Sequence, residues 1–99
     1  MTRYVLGMPK TRPDRLLWSS TSRWMLCTVW LVSGGLAVEV RIESWGGLVR
    51  GAMRFDTRAG GVDATGRAAI RLASSLRRCR SYGEAAALLA HADLAGVRA

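Results

Sequence analysis

The sequence LAVEVRIES, residues 36–44, alternates between apolar and charged side chains from Val38 onward. Successive side chains of a β-strand point to opposite faces of a sheet, so this period of two predicts a strand with one buried face. The buried side chains are then Leu36, Val38, Val40 and Ile42, and the solvent-facing ones are Glu39, Arg41 and Glu43. The outward Glu and Arg residues also favour cross-strand ion pairs with a neighbouring strand.

Glycine-rich turns flank this strand on both sides. The segment before it is rich in aromatic and β-branched residues and joins it through Ser33, Gly34 and Gly35, which predicts a hairpin. The segment after it follows Gly46 and Gly47 and alternates again. We therefore predict an antiparallel meander of three strands, at about 24–32, 36–44 and 48–56.

The first of these strands, residues 24–32, is apolar on both faces. That pattern is typical of a strand covered from both sides, so we expect it to be central in the sheet. Either the N-terminal arm or a second copy of the chain then covers its outer side, and the second case makes the protein a homodimer. Large aromatic side chains dominate small cores, so Trp24 and Trp30 are predicted to be buried.

Two helices are predicted after the sheet, at about 65–80 and 82–95. Asp63 or Thr65 is the expected N-cap of the first, and Ser81 with Glu84 forms a capping box for the second. The predicted buried arc of the first helix consists of Ala68, Ala69, Leu72, Ala73, Leu76 and Cys79, and the apolar face of the second of Ala85, Leu88, Leu89 and Ala92.

These elements predict an α+β fold, a three- or four-stranded antiparallel meander followed by two short C-terminal helices packed on the sheet. Residues 23–99 form its single domain. Residues 1–22 contain both prolines and form a basic arm, with a short strand at 3–7 as the candidate fourth strand.

The chain carries a formal net charge of +8, and its isoelectric point is near 11.3. Such a charge attracts anionic partners, either nucleic acid or an acidic protein surface. Of the fifteen basic residues only Lys10 is a lysine, which together with the many Ala and Gly residues indicates a high-GC bacterial genome. The positive charge is concentrated in the N-terminal arm and in the first helix, whereas residues 36–63 are neutral.

The first helix carries the sharpest functional feature, a row of arginines on the face opposite its apolar arc. Several guanidinium groups on one helix face bind successive phosphates or a carboxylate-lined surface. The alternatives are a solvated face and pairing with the acids of the sheet. The candidate binding residues of this helix are Arg67, Arg71, Arg77, Arg78 and Arg80, with no acid between residues 64 and 80.

The N-terminal arm supplies further candidate binding residues, with Tyr4 and Trp18 between them. Basic arms with aromatic side chains can follow a nucleic-acid backbone and stack on its bases; an ordinary terminus, or an arm packed on a partner subunit, is the alternative. Trp45 lies at a glycine-rich turn, where it either anchors an interface or packs over the hairpin. The basic candidates of the arm are Arg3, Lys10, Arg12 and Arg15.

Residues with catalytic or metal-binding chemistry are sparse. His91 has no orienting partner or nucleophile in its surroundings, and Cys27 and Cys79 lie in apolar segments that leave open whether they pair. The glycine pairs match neither a P-loop nor a dinucleotide-binding fingerprint. We expect no enzymatic activity, no cofactor and no metal.

Two functions fit these observations. The first is a small cytoplasmic protein that binds nucleic acid or a nucleoprotein complex through the arginine helix and the arm. The alternative is an inhibitor or adaptor that docks on an acidic surface of a larger complex, such as an anti-defence protein encoded by a phage or mobile element. The second helix is poor in basic residues, which argues against helix-turn-helix readout. The apolar stretch from Trp24 is short and interrupted by glycines, so we expect no attachment to a membrane.

Overall fold

The computed structural model describes residues 14–92 of the chain. A four-stranded antiparallel sheet with the strand order β1-β2-β3-β4 is followed by two C-terminal helices that pack on one of its faces. The predicted α+β fold class is therefore confirmed. The elements are β1 (Arg15–Thr21), β2 (Met25–Val32), β3 (Ala37–Ser44), β4 (Arg50–Asp56), α1 (Val62–Arg77) and α2 (Tyr82–Ala90). The strand predicted at 3–7 lies outside the described residues.

The fourth strand of the sheet is β1, which we had placed in the arm. It pairs antiparallel with β2, and its register shifts between Leu16 and Trp18. Such a bulge puts two neighbouring side chains on the same face. Leu17 and Trp18 accordingly both pack against the core, so no period of two is visible in this stretch of sequence.

The three other strands form the predicted meander. A short 3-10 turn at Ser33–Gly35 joins β2 to β3, with Gly34 at φ 66° and Gly35 at φ 97°, a region that glycine enters without steric cost. The inward side chains form the sheet side of the core, and they are Met25, Cys27, Val29, Val38, Val40 and Ile42. The predicted inward residue Leu36 lies in the turn instead and is exposed.

Helix α1 lies across β2 and β3 and covers them with a face made mostly of alanine and leucine. The predicted buried arc is confirmed for Ala68, Ala69, Leu72, Ala73 and Leu76, whereas Cys79 is half-buried. The helix begins at Val62 with Gly61 as its N-cap, so the predicted caps Asp63 and Thr65 are wrong. Gly61 has φ 84°, which lets the chain turn directly into the helix and leaves Asp63 in the first turn, where its charge complements the helix dipole.

Helix α2 packs beside α1 over β3 and β4. Its N-cap is Ser81, whose Oγ accepts a hydrogen bond from the Glu84 amide at 3.2 Å, as the capping box predicts. The Glu84 carboxylate reaches back to the amide of Arg80 at 2.6 Å, one residue beyond the usual partner. Ala85 and Leu89 face the core, but Leu88, predicted on the apolar face, is exposed.

The two tryptophans that we predicted in the core lie elsewhere. Trp24 precedes β2 and is 44% exposed. Trp30 is half-buried on the outer face of the sheet, with the Arg41 guanidinium 4.7 Å from its ring centre. The inward side of β2 is set by Met25, Cys27 and Val29, and Trp30 has the opposite parity. A cation–π contact, rather than a covering layer from residues 14–92, shields this ring.

Candidate anion-binding surface

The charged residues of the outer sheet face neutralise one another. Glu39 binds two guanidinium groups, those of Arg41 on its own strand and Arg54 across the sheet, the latter at 2.6 Å. Arg50 pairs with Glu43 at 3.1 Å. The cross-strand ion pairs expected from the sequence are therefore present, and with Asp14, which binds Arg41, three carboxylates balance the three arginines.

Glu39 is the centre of this network and is only 7% exposed. Burial alone raises the pKa of a carboxyl group, but the hydrogen bonds and charges of Arg41 and Arg54 outweigh it and lower the pKa of Glu39 below its usual value. The carboxylate is thus held in its charged form by the two arginines. Arg41 also reaches Asp14, at 3.3 Å.

The loop after β4 is neutralised in the same way. The guanidinium group of Arg58 binds the Asp56 carboxylate at 2.6 Å, and the backbone amide of Arg58 donates a hydrogen bond to the same carboxylate. These hydrogen bonds lower the pKa of Asp56 to about 2. Arginines therefore bind all four acids between residues 14 and 56, which are Asp14, Glu39, Glu43 and Asp56.

The arginines of α1 and of the turn after it are different. All five are exposed, and within residues 14–92 none of their guanidinium groups has a carboxylate oxygen within 4.0 Å; they are Arg67, Arg71, Arg77, Arg78 and Arg80. The alternative that they pair with the acids of the sheet is wrong, because those acids lie on the other side of the sheet and already have partners. We expected no acid in this helix, but Asp63 belongs to α1. The helix therefore contains one acid and three arginines, and Arg78 and Arg80 follow it.

The arginine row follows the outward side of α1. Arg67 and Arg78 are separated by about 16 Å along the helix axis, at 1.5 Å per residue. Between them, Arg71, Ser74 and Arg78 line a shallow hollow of about 390 Å³ together with Ile70 and Ser75. Ile70 is half-buried at the margin of the core, so it forms the floor of this hollow rather than part of the exposed row.

A second hollow, of about 620 Å³, continues the surface between the two helices. Arg78 belongs to both hollows. The second is also lined by Arg80, His91 and the exposed Leu88, and by one carboxylate, that of Glu84, which binds the Arg80 amide. The structure therefore brings Arg71, Arg78 and Arg80 onto one continuous surface. It offers hydrogen-bond donors and positive charge, which suit oxyanions.

The remaining predicted binding residues are scattered. Arg15 is exposed at the start of β1, beside Leu36 and the first residue of α1, at the opposite end of the sheet from Trp45. Trp45 is 54% exposed, and its indole N–H donates to the carbonyls of the β1–β2 turn. Trp45 is thus partly packed on the β1–β2 turn, while the exposed part of its ring remains available for an interface. The arm residues Arg3, Lys10 and Arg12 lie outside the described residues.

Sequence reasoning missed the exposure of Trp24, Leu48 and Val49, which lie with Trp45 in the two loops at one end of the sheet. A signal was available for the latter two, because they follow a glycine pair at a predicted turn. Trp24 was missed because we counted it as the first residue of the strand.

Groups with catalytic potential do not converge. Cys27 and Cys79 are both free thiols; Cys27 is buried, and burial raises its pKa to about 12. Between residues 14 and 92 there is no group of three His, Cys, Asp or Glu side chains placed to hold a metal ion. Neither helix in this range is long and apolar enough to cross a bilayer.

No protein-family model matches the chain, and comparison with curated proteins and with solved structures finds no similar one. The arginine surface of α1 is therefore the feature of the described residues that points to a function.

Proposed function

We propose that this protein binds nucleic acid through the arginine row on α1. The observation that supports the proposal is the contrast between two sets of arginines. Arg41, Arg50, Arg54 and Arg58 each bind a carboxylate, whereas the five arginines of α1 and the following turn have no such partner among residues 14–92. Among the described residues, the second set thus has guanidinium groups that remain available to an external anion.

A linear polyanion suits this arrangement better than a single small anion. The guanidinium groups are spread over about 16 Å of helix and line open hollows rather than an enclosed pocket. Successive phosphates of a nucleic-acid backbone can each pair with one arginine and release condensed counterions. Backbone contacts of this kind carry no base specificity, so we expect binding that depends weakly on base sequence.

Salt-dependent binding tests the proposal. We would measure dissociation constants by fluorescence anisotropy for duplex and single-stranded oligonucleotides between about 50 and 200 mM salt. The double variant Arg71→Gln, Arg78→Gln should bind more weakly to every sequence, and its log–log salt slope on duplex DNA should fall by about 1.8, since each neutralised phosphate contributes about 0.9.

The matched control removes the same charge from the paired set, as Arg54→Gln, Arg58→Gln. Both of these residues already bind carboxylates, so the control should keep its affinity and its salt slope. Equal losses in the two double variants would show that only net charge matters and would refute a site on α1. Undetectable binding at low salt would refute nucleic acid as the ligand.

The alternative proposal, docking on an acidic protein surface, is favoured by one observation, the exposed ring of Trp45. Partly exposed tryptophans in a defined loop are common anchors of protein interfaces. This function predicts a stoichiometric complex with one acidic protein that Trp45→Ala weakens and that nucleic acid does not displace. Displacement by an oligonucleotide in a pull-down from a bacterial lysate would favour the first proposal instead.

A further inference from the structure

Two loops meet at one end of the sheet and expose two tryptophans there. The indole N–H of Trp45 donates to the carbonyls of Ser22 at 3.1 Å and Arg23 at 3.0 Å, which ties the β3–β4 loop to the β1–β2 turn. Trp24 follows directly in that turn. Trp24 is 44% exposed and Trp45 54%. The two rings thus lie on adjoining loops whose relative position is fixed by hydrogen bonds.

The arginine row ends at this same end of the molecule. Tyr82, the first residue of α2, packs on Gly51, because a Cβ at that glycine would lie 3.2 Å from the Tyr82 hydroxyl. Gly51 is the second residue of β4, at the end of the strand that adjoins the Trp45 loop. Arg80 is only two residues before Tyr82, so the C-terminal end of the row lies at the same end of the sheet as the tryptophans.

The charge around the tryptophans has the same sign as the row. Arg23, between Ser22 and Trp24, is exposed and has no carboxylate partner among residues 14–92. A chain of phosphates that follows α1 towards its C-terminal end therefore meets two exposed aromatic rings in a positive environment.

We infer that the nucleic acid bound by this protein is single-stranded, with unpaired bases stacked on Trp24 and Trp45 while the backbone follows the arginines of α1. The inference rests on the proposed function and specifies its ligand. Bases stack on aromatic side chains only when their faces are accessible, as in single strands, and such contacts tolerate any base. In duplex DNA the same faces are already stacked inside the helix.

The arrangement favours a single strand over an anionic bilayer or a protein surface. A flat bilayer at the tryptophan end would leave Arg67 and Arg71, on the earlier turns of α1, without a ligand, whereas a flexible strand can reach both regions. The indole N–H of Trp45 is also held by backbone carbonyls, which keeps its ring fixed as a stacking platform. Leu48 is 89% exposed in the same loop but has no π face, so it serves as an internal control.

The experiment compares an oligothymidylate of about 20 nucleotides with a duplex of the same length at matched low salt. The wild-type protein should bind the single strand more tightly. Trp24→Leu should weaken single-strand binding roughly five- to 150-fold, the range for loss of one base–aromatic stack, and leave duplex binding unchanged. Trp24→Phe, which keeps a ring at the same position, should retain most of the affinity. Leu48→Ser should bind like the wild type.

The outcomes separate this inference from the proposed function. If neither oligonucleotide binds, both fail. If the two bind equally and Trp24→Leu has no effect, only the single-strand inference fails. If Leu48→Ser abolishes association with vesicles of mixed anionic and zwitterionic lipid while the oligonucleotides bind without help from Trp24, the loops serve a bilayer and the inference is wrong. Circular dichroism on each variant checks that the sheet is intact.

Discussion

Replacing Glu39 with glutamine tests whether the outer sheet face is held together by its own ion pairs. Glutamine keeps the size and shape of the side chain but removes the charge and one of the two acceptor oxygens. In the wild type, the guanidinium groups of Arg41 and Arg54 share the Glu39 carboxylate. In the variant, one of these two groups faces the amide N–H of glutamine instead of an oxygen. The perturbation is therefore electrostatic and leaves the packing of β3 almost unchanged.

The expected loss follows from burial and from the number of hydrogen bonds. A hydrogen bond to a charged group contributes about 1.5–3 kcal/mol when both partners are desolvated. The Glu39 side chain is only 10% exposed, but those of Arg41 and Arg54 are 35% and 59% exposed, so water screens each contact. We expect the variant to lose about 2 kcal/mol in free energy of unfolding, which lowers Tm by about 8–16 °C in a domain of this size.

The loss should depend on pH with a defined sign. The pKa of Glu39 is lowered in the folded state, so its contribution is complete above the pKa of the unfolded chain, about 4.3, and disappears as the pH falls through the folded pKa. Urea unfolding at about pH 7 should show the full difference between wild type and variant, and at about pH 3 the difference should have shrunk, since the Glu39 carboxyl of the unfolded wild-type chain is then protonated and the unfolded state is favoured.

Glu43→Gln is the matched control on the same strand and the same face. Its side chain is 34% exposed and pairs with one arginine that is itself 74% exposed, and such surface pairs contribute about 0.2–1 kcal/mol. The reasoning is refuted if Glu43→Gln costs as much as Glu39→Gln, or if the Glu39→Gln difference is as large at low pH as at neutral pH.

Two further predictions concern the interior. Gly51→Val should destabilise the fold by about 1–3 kcal/mol in urea unfolding, because a Cβ there would already lie 3.2 Å from the Tyr82 hydroxyl and 3.4 Å from Ile42 Cγ1, so the branched side chain has to displace one of them; unchanged stability would contradict the packing of Tyr82 on Gly51. Cys27 is buried with its pKa raised to about 12, so a thiol reagent at neutral pH should leave it unmodified in the folded protein and react with it only on unfolding. Cys79 is half-buried and should react first; equal rates for the two thiols would contradict the burial of Cys27.

The meander and the helices were predictable because their side chains have simple periods. Val38, Val40 and Ile42 alternate with charged residues, and the structure buries all three. Ala69 and Leu76 fall on one arc of a helical wheel and are equally buried. In such segments one face meets the core and the other meets water, so local pattern and tertiary position agree.

The errors occurred where that agreement is broken. The bulge between Leu16 and Trp18 removes the alternation from β1, so a strand of the sheet had the appearance of an arm. The strand β2 is apolar on both faces, so its sequence contains no information about which face is inward, and Trp30 was assigned to the wrong side. The N-cap of α1 was misplaced because Gly61, rather than an acidic or hydroxyl side chain, ends the preceding loop.

The candidate site was only half predictable from sequence. Helical spacing alone places Arg67, Arg71 and Arg78 on the face opposite the core. Whether they pair with the acids of the sheet depends on which side of the sheet those acids face, and that requires the packing of α1 on β2 and β3. The proximity of Trp24 and Trp45, by contrast, already follows from the predicted hairpin of 24–32 and 36–44, because Met25 pairs with Ser44; the exposure of Trp24 required the structure.

The layered fold explains why a protein with both acids and arginines can present a strongly positive surface. The outer carboxylates and the arginines of α1 lie on opposite sides of a sheet and a helix layer, whose separation is on the order of 10 Å for packed layers. At physiological ionic strength the Debye length is about 8 Å, so the acids of the sheet contribute little to the potential above α1. Among residues 14–92, a ligand at that helix is therefore exposed to five arginines and two acids, Asp63 in the first turn of α1 and Glu84 beside Arg80. Adding one acid to the row, as in Ser74→Glu, should weaken oligonucleotide binding more than adding one to the outer sheet face, as in Ala52→Glu. Equal effects of the two variants in anisotropy titrations would show that the layers do not separate the charges.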